Sequence, residues 1–483
     1  MKKTEHIALV PQPARVEAGE GSYTCTLPPK VAERIDPSIT GNEAYHLTVK
    51  PDGITISASS DTGIFHGRQT LRQLLMTGTE GSQCLLPCVE ISDSPRFPWR
   101  GFMLDCSRHF YLPKFIKKML DVCALHHLNV FHWHLSDDQG WRFPVDGYPK
   151  LIEVGSKRVN PHYPNTAEPK HWESGFYTED DIRDIVAYAA ERHILVIPEV
   201  DLPGHTSAAL AAYPELGCTG GPYEVEIRYG VMDDILCAGN DAIFDFIEAV
   251  FSTLARLFPG PYVHIGGDEA PTTRWEACPK CRARMKALGL SLPRQLQHWL
   301  TARFAAMLAK HGKTAVCWDE VLEDSDKATA DTALPKNITI MYWRSWLGAK
   351  PALQAVEQGL PLVMTPCNHG SYLNFSQTHD PGDAGSHPEC STLHDSYTIP
   401  LYYPGMTDEQ KKLVRGGQGN LWGELINNDK NAEYLLFPRL CALAEVLWTE
   451  ESLQNYDDFQ KRLQTHLPRL DTLGVLYCRS VEE

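Results

Sequence analysis

The chain has 483 residues, 43% hydrophobic and 22% charged, with a formal net charge of −16. This is a globular composition, long enough for one large domain and a smaller one. The acidic balance, with no basic run, excludes a general binder of nucleic-acid backbones, which relies on Lys and Arg to release counterions. No apolar stretch reaches the length of a membrane span.

The N-terminus, MKKTEHIALVPQP, has two lysines but no continuous apolar core and does not read as a signal peptide. The expectation is a cytoplasmic chain as numbered, or an exported one whose leader was removed. The first region mixes β-type runs, YHLTVK and GITISAS, with one amphipathic helix pattern. In that pattern Ile64, Leu71, Leu74 and Leu75 recur at helical spacing. A Ser-Asp-Ser-Pro turn at 92–95 then changes the rhythm. We read a small α+β domain over 1–95 and a second domain over 96–483 that ends in helices.

From Arg100 onward short apolar runs alternate with helical patterns. The strand candidates are RGFMLD (100–105), NVFHWHLS (129–136), ILVIPEVD (194–201) and YVHIGGDE (262–269). Four more follow: TAVCWDE (314–320), ITIMYWR (338–344), LPLVMTP (360–366) and the glycine-weakened RGGQGNLWGE (415–424). Amphipathic helices such as DIRDIVAYAAER and AIFDFIEAVFSTLARLF fit between many of them. The pattern predicts an α/β fold, a (β/α)8 TIM barrel. A doubly wound open sheet is the alternative, but no glycine-rich dinucleotide fingerprint follows a strand.

Fourteen cysteines are scattered along the chain. Cys123, Cys317 and Cys441 sit in apolar runs and read as small core residues. Cys218 and Cys237 flank a loop-like segment and could bridge in an oxidising compartment, which the sequence leaves open. Cys278 and Cys281 have the spacing of half a zinc site, but no second pair lies nearby in sequence, so a thiol-containing turn is expected.

Each strand candidate starts apolar and ends in polar or aromatic groups, as the catalytic face of a barrel requires. Those ends carry Asp105 then Arg108; His132, His134 and Asp137; Asp201 then His205; and Asp268 with Glu269. Further on come Trp318 and Asp319, Trp343, Tyr372 and Asn374, and Trp422 with Glu424. Indoles from three strands, with carboxylates and an arginine, suit a sugar, whose C–H faces pack on aromatic rings and whose hydroxyls need polar partners. In HIGGDEAP the two carboxylates are adjacent, and successive strand residues point to opposite faces, so Asp268 and Glu269 are expected to differ in role. His132 and His134 share a strand face; hydrogen-bonded barrel histidines are the expected reading over a zinc site, since no third ligand stands at suitable spacing.

WRGFMLDCSRHF, HWHLSDDQGWR, PEVDLPGH, HIGGDEAP, YWR and LWGE, in this order, resemble the β-N-acetylhexosaminidases of glycoside hydrolase family 20. The resemblance runs from about residue 8 to about residue 450 and implies a small N-terminal domain followed by a catalytic barrel. It implies a substrate-assisted retaining mechanism in which the substrate's 2-acetamido oxygen attacks the anomeric carbon. Glu269 matches the general acid/base, and a pKa raised by its neighbour and by partial burial is expected. Asp268 matches the residue holding the acetamido N–H, and Tyr372 the tyrosine steadying its carbonyl. Trp318, Trp343 and Trp422 resemble the walls of the pocket for the terminal sugar. Arg108 and Glu424 resemble hydroxyl-binding residues, and Asp137 with His205 a supporting pair beside the acid/base. Asn374 departs from an aspartate frequent in the family, which leaves the sugar preference open.

The implied activity is exo-acting release of terminal β-linked N-acetylhexosamine from an oligosaccharide or glycoconjugate, with no cofactor and no metal. Alternatives are a disaccharide-releasing relative, a catalytically inactive sugar-binding protein and a metal-dependent barrel hydrolase.

Overall fold

The structure is a computed structural model that describes residues 7–160, 171–325, 332–379 and 387–480. Eight short runs rich in β-branched and aromatic residues form a closed barrel. They are β1 (Trp99–Asp105), β2 (Val130–His134), β3 (Leu195–Glu199), β4 (Tyr262–His264), β5 (Thr314–Trp318), β6 (Thr339–Tyr342), β7 (Leu362–Met364) and β8 (Val414–Leu421). Every pairing is parallel, and β8 closes on β1. The barrel is the expected one, not the open sheet.

Two strand candidates behave differently from the pattern. The HIGGDE run leaves the sheet after His264. The glycine-rich run, by contrast, forms an eight-residue strand. Its glycines belong to the closure: a Cβ on Gly416 would lie 1.9 Å from the Trp99 carbonyl oxygen, and one on Gly419 would press on Leu373 and Leu443. Close backbone approach, not strand propensity, chose these residues.

Helices follow most strands. Pro113–Leu125 follows β1, Glu179–Ala190 precedes β3, Ala242–Leu257 precedes β4, and Arg294–Lys310 precedes β5. Between β5 and β6 the described residues hold the 3₁₀ turn Asp319–Leu322 and no α-helix. The barrel interior is packed with Met103, Val130, Ile197, Val316, Met341 and Val363. This apolar plug sits below the polar strand ends.

The N-terminal unit is a mixed sheet with strand order 15–26, 83–93, 45–50, 53–58, 31–35, covered by helix Asp61–Gly78. That helix buries Ile64, Leu71 and Leu74 against the sheet, with Leu75 partly buried. The sheet's last long strand ends at Asp93, and β1 begins at Trp99. Trp448, fully buried, joins the two units. Its indole N–H donates to Asp93 at 2.9 Å, and its ring stacks on His127. Among the described residues no helix is long and apolar enough to cross a membrane.

Candidate active site

After His264 the chain turns through Gly266 (φ 64°) and Gly267 (φ 100°) into Asp268 and Glu269. A Cβ on Gly266 would lie 1.7 Å from Asp201 Oδ1, and the Gly267 N–H donates to the same oxygen at 3.2 Å. The glycines therefore let the chain after β4 pass directly over the Asp201 carboxylate. Glu269 itself adopts φ 45°, and His205, across the gap, φ 50°. Such conformations cost ~1–3 kcal/mol each, and here they aim two side chains at one another: His205 Nε2 lies 3.4 Å from Glu269 Oε2. The alternation expected of Asp268 and Glu269 fails with the strand, and both line the same pocket. Their inequivalence comes from their surroundings.

His205 is held between acids. Its Nδ1 lies 3.1 Å from Asp137 Oδ1 and 3.0 Å from Asp138 Oδ2, and its Nε2 lies 3.6 Å from Asp268. Burial works against a charged imidazole, but the Asp137 charge and these hydrogen bonds outweigh it, so its pKa is raised well above the ordinary value. His205 is an imidazolium at neutral pH. Burial pushes the Glu269 carboxyl up, but the His205 hydrogen bond and charge, helped by Arg108, hold it below the usual value. The expectation of a raised Glu269 pKa is thereby reversed, because its strongest neighbour is a cation and not Asp268. Asp268 takes the shift instead. Burial and the adjoining Asp201 carry it well above the carboxylate range, while Asp201, raised by burial, reaches about 7. Oxygens of the two carboxyls lie within 4.8 Å of one another, and we read the pair as sharing one proton, since like charges so close cannot both ionise freely.

Behind this wall lies a cluster centred on a carboxylate that the sequence did not single out. Glu199 at the end of β3 is fully buried. His132 Nε2 lies 2.9 Å from Oε2, His264 Nδ1 2.8 Å and the Trp318 indole 2.9 Å from Oε1, with His134 Nδ1 at 2.5 Å. His134 Nε2 then bonds Asp137 at 2.8 Å. A line of alternating charge runs Glu199–His134–Asp137–His205–Glu269. His132, Glu199 and His264 each offer a ligand atom close enough to hold a metal, so the third ligand that the spacing lacked is supplied in space, while His134 bonds Glu199 and Asp137 and His132 Nδ1 lies 2.9 Å from the Gln418 amide. The sequence signal for Glu199 was a lone carboxylate in an apolar strand, flanked in space by HWH and HIGGD.

The opposite wall is aromatic. Tyr372 and Trp343 lie parallel, 5° apart with ring centroids at 6.0 Å, and Trp422 meets Tyr372 at 6.1 Å. Trp343 is fixed by its indole N–H to Glu320 at 2.7 Å and its backbone N–H to Asp319 at 2.8 Å. Arg344, the last residue of the YWR run, bonds Asp319 at 2.8 Å. Glu320 is a second group the sequence did not single out. Burial and then Asp319 raise its carboxyl well above the ordinary range.

Arg108 and Glu424 line the far side with Asn374. The Arg108 guanidinium is oriented by Asp137 at 2.8 Å, Gln139 at 2.8 Å and Asp105 at 3.1 Å. Trp318 is the exception among the expected walls. Only 1% exposed, it lies beneath the pocket, bonded to Glu199 and packed on Trp422 at 5.8 Å, and it does not line the cavity. Asp137 likewise supports the pocket without lining it. Tyr229 and Gly230, on a loop without any motif, do line it. Cys218 and Cys237 are free thiols, not a disulfide, and the second pair expected to be missing beside Cys278 and Cys281 is supplied by them in space.

The cavity measures about 290 Å³. Paired acids, a charged imidazole, an arginine and stacked aromatics stand together at the mouth of a parallel barrel, and comparison with known proteins identifies the family. The glycosyl hydrolase family 20 catalytic domain matches residues 97–451, and that family's domain 2 matches residues 26–94. The chain belongs to glycosyl hydrolase family 20. It is 40% identical over 443 residues to a β-hexosaminidase of Porphyromonas gingivalis, covering 90% of this chain and 54% of that protein. It is 35% identical over 479 residues to a β-hexosaminidase of Akkermansia muciniphila, covering 96% and 90%. The chain thus spans about half the length of the first of these relatives and most of the second. The solved exo-β-N-acetylglucosaminidase of Vibrio harveyi, in complex with N-acetylglucosamine, superposes with a TM-score of 0.87 at 32% identity. It covers 99% of this chain and 79% of that one. A β-N-acetylhexosaminidase from Bacteroides fragilis gives 0.84 at 30% identity, covering 97% and 96%.

Proposed function

We propose that the protein is an exo-acting, retaining β-N-acetylhexosaminidase that releases terminal N-acetylhexosamine from the non-reducing end of glycans by substrate-assisted catalysis. The observation that carries this reading is the pairing of Asp268 and Glu269 on one wall, in opposed electrostatic settings. A nucleophile and an acid acting directly on one bond flank it from two sides about 5 Å apart, which adjacent residues on one turn do not offer. The nucleophile then belongs to the substrate.

In the first step the acetamido carbonyl oxygen bonds to the anomeric carbon as the glycosidic C–O bond breaks. Glu269 gives its proton to the leaving oxygen. Asp268 accepts the acetamido N–H and balances the positive oxazolinium ion, and the Tyr372 hydroxyl donates to the acetamido oxygen. In the second step Glu269 takes a proton from water, which opens the oxazolinium at the same face. Before the first step Glu269 receives its proton from His205, 3.4 Å away, and it returns that proton once water has reprotonated the carboxyl. Filling of the pocket removes water from the open side of Glu269 and shifts the proton of this pair toward the carboxyl oxygen. Trp343 and Trp422 pack the sugar faces, while Arg108, Asn374 and Glu424 bind hydroxyls.

A cavity of about 290 Å³ stands at the lower end of ligand pockets. It favours a single ring over the disaccharide-releasing alternative. The test is release of chromophore from an aryl β-N-acetylglucosaminide against the aryl β-glucoside. Strong preference for the acetamido substrate is expected, and equal turnover refutes substrate assistance. Glu269→Gln should lower kcat on substrates with poor leaving groups by ~10²–10⁴. Retained turnover would assign the acid elsewhere, and binding without product release by the native protein would favour the inactive lectin-like reading.

A further inference from the structure

We infer that Cys218, Cys237, Cys278 and Cys281 form a structural zinc site that ties the loop walling the sugar pocket to the helix behind the catalytic turn. The four sulfurs all lie within 4.8 Å of one another. The close pairs are Cys218–Cys281 at 3.8 Å, Cys237–Cys278 at 3.8 Å and Cys237–Cys281 at 3.6 Å. Bonded sulfurs would stand about 2.05 Å apart. A tetrahedron with zinc–sulfur arms of about 2.3 Å has edges of about 3.8 Å. The observed separations are those of a tetrathiolate cage.

The surroundings fit a metal centre. Cys237, Cys278 and Cys281 are buried and Cys218 is half-buried. Cys278 caps the helix Pro279–Ala287, and Cys281 stands in its first turn, so both thiolates meet the positive end of a helix. The same helix carries Lys280, Arg282 and Arg284, whose charges oppose the two net negative charges of zinc with four thiolates. Cys218 and Cys237 follow residues of one antiparallel bridge, Gly217 to Leu236. They therefore close the base of the loop they flank. A Cβ on Gly239 would lie 2.2 Å from the Lys280 carbonyl carbon, so the two segments touch through backbone. Trp275 donates to the Leu236 carbonyl at 2.9 Å, and Arg274 bonds Asp234 at 2.7 Å.

The loop between Cys218 and Cys237 brings Tyr229 and Gly230 to the pocket wall. The other two cysteines follow Asp268 and Glu269 closely in the chain. Zinc here performs no chemistry on the sugar, because four protein thiolates leave no open position. It fixes one wall against the other. Binding exchanges thiol protons for the metal and couples its affinity to the folded loop.

The full chain, purified without chelator, should contain one zinc per molecule by plasma mass spectrometry. A mercurial that titrates the thiolates should release this zinc to a chromogenic chelator. Cobalt exchanged into the site should give thiolate charge-transfer absorption and tetrahedral d–d bands. Cys281→Ser should lower zinc content about tenfold or more, while Cys123→Ser, a buried thiol elsewhere, should leave it unchanged. The unsubstituted protein carries the test even where Cys281→Ser does not fold. Two disulfides, seen as an intact mass short by four hydrogens, would overturn the assignment. So would four alkylatable thiols without metal, or iron in place of zinc.

Discussion

The shared proton of Asp201 and Asp268 makes Asp201→Asn an informative substitution. Burial carries the Asp201 carboxyl from 3.8 to about 7, and at 1.36 kcal/mol per pKa unit that is roughly 4 kcal/mol against ionising it in the site. Asp268 feels this neighbour in two ways, through its charge and through the hydrogen bond that favours the protonated form. Asparagine removes the charge and offers an N–H to the Asp268 carboxylate, while its carbonyl oxygen can keep the bond from the Gly267 N–H. Burial of Asp268 remains, so only part of the shift is relieved. The Asp268 pKa should fall. In the proposed mechanism Asp268 must be ionised to accept the acetamido N–H, so the acid limb of kcat/KM should move to lower pH with it. The assay is a pH series of kcat/KM on an aryl β-N-acetylglucosaminide, with the thermal midpoint recorded at each pH. A group whose folded pKa is raised opposes folding once ionised, so above about pH 7 the variant should be no less stable than the parent. An acid limb that stays in place, or moves upward, with stability intact, would refute the shared-proton reading.

Tyr372→Phe removes the hydroxyl that the proposed mechanism directs to the acetamido oxygen and leaves the stack on Trp343. Steady-state kinetics should give a kcat lower by ~10²–10³ with little change in KM. Glu199→Gln deprives the buried His134, whose pKa is raised well above the ordinary value against burial, of a counter-charge, and chemical denaturation at neutral pH should report a loss of ~3–5 kcal/mol. The Glu199 pKa is held well below the ordinary value by the surrounding histidines, against burial. Its contribution is thus present above the carboxylate range and lost as pH falls through that depressed value, so parent and variant should converge in acid.

Strand order and the polar strand ends were legible because a barrel repeats one simple rule, apolar run then functional residue, from Asp105 to Glu424. Where local rules yielded to close packing, the pattern misled. The Gly266–Gly267 turn looked like the continuation of a strand, because nothing in HIGGDE reveals that Asp201 fills the space beneath it. Trp318 carried the same signal as Trp343 and Trp422, yet Glu199 draws its indole inward. The pKa of Glu269 depended on His205, more than sixty residues earlier in the chain, and not on its immediate neighbour. The cysteine quartet was invisible for a similar reason: its two halves are joined by a fold, not by a spacing.

The line from Glu199 through His134, Asp137 and His205 to Glu269 begins in the sealed interior of the barrel and meets solvent only at its last member. Mobile ions mask exposed charges beyond a distance of about 8–10 Å at ordinary ionic strength. They therefore blunt the surface field created by a net charge of −16 while leaving this buried series almost untouched. The proton affinity of the acid is in effect insulated from the medium. Salt should alter how fast an anionic glycan reaches the pocket far more than the pH at which the bond is cut.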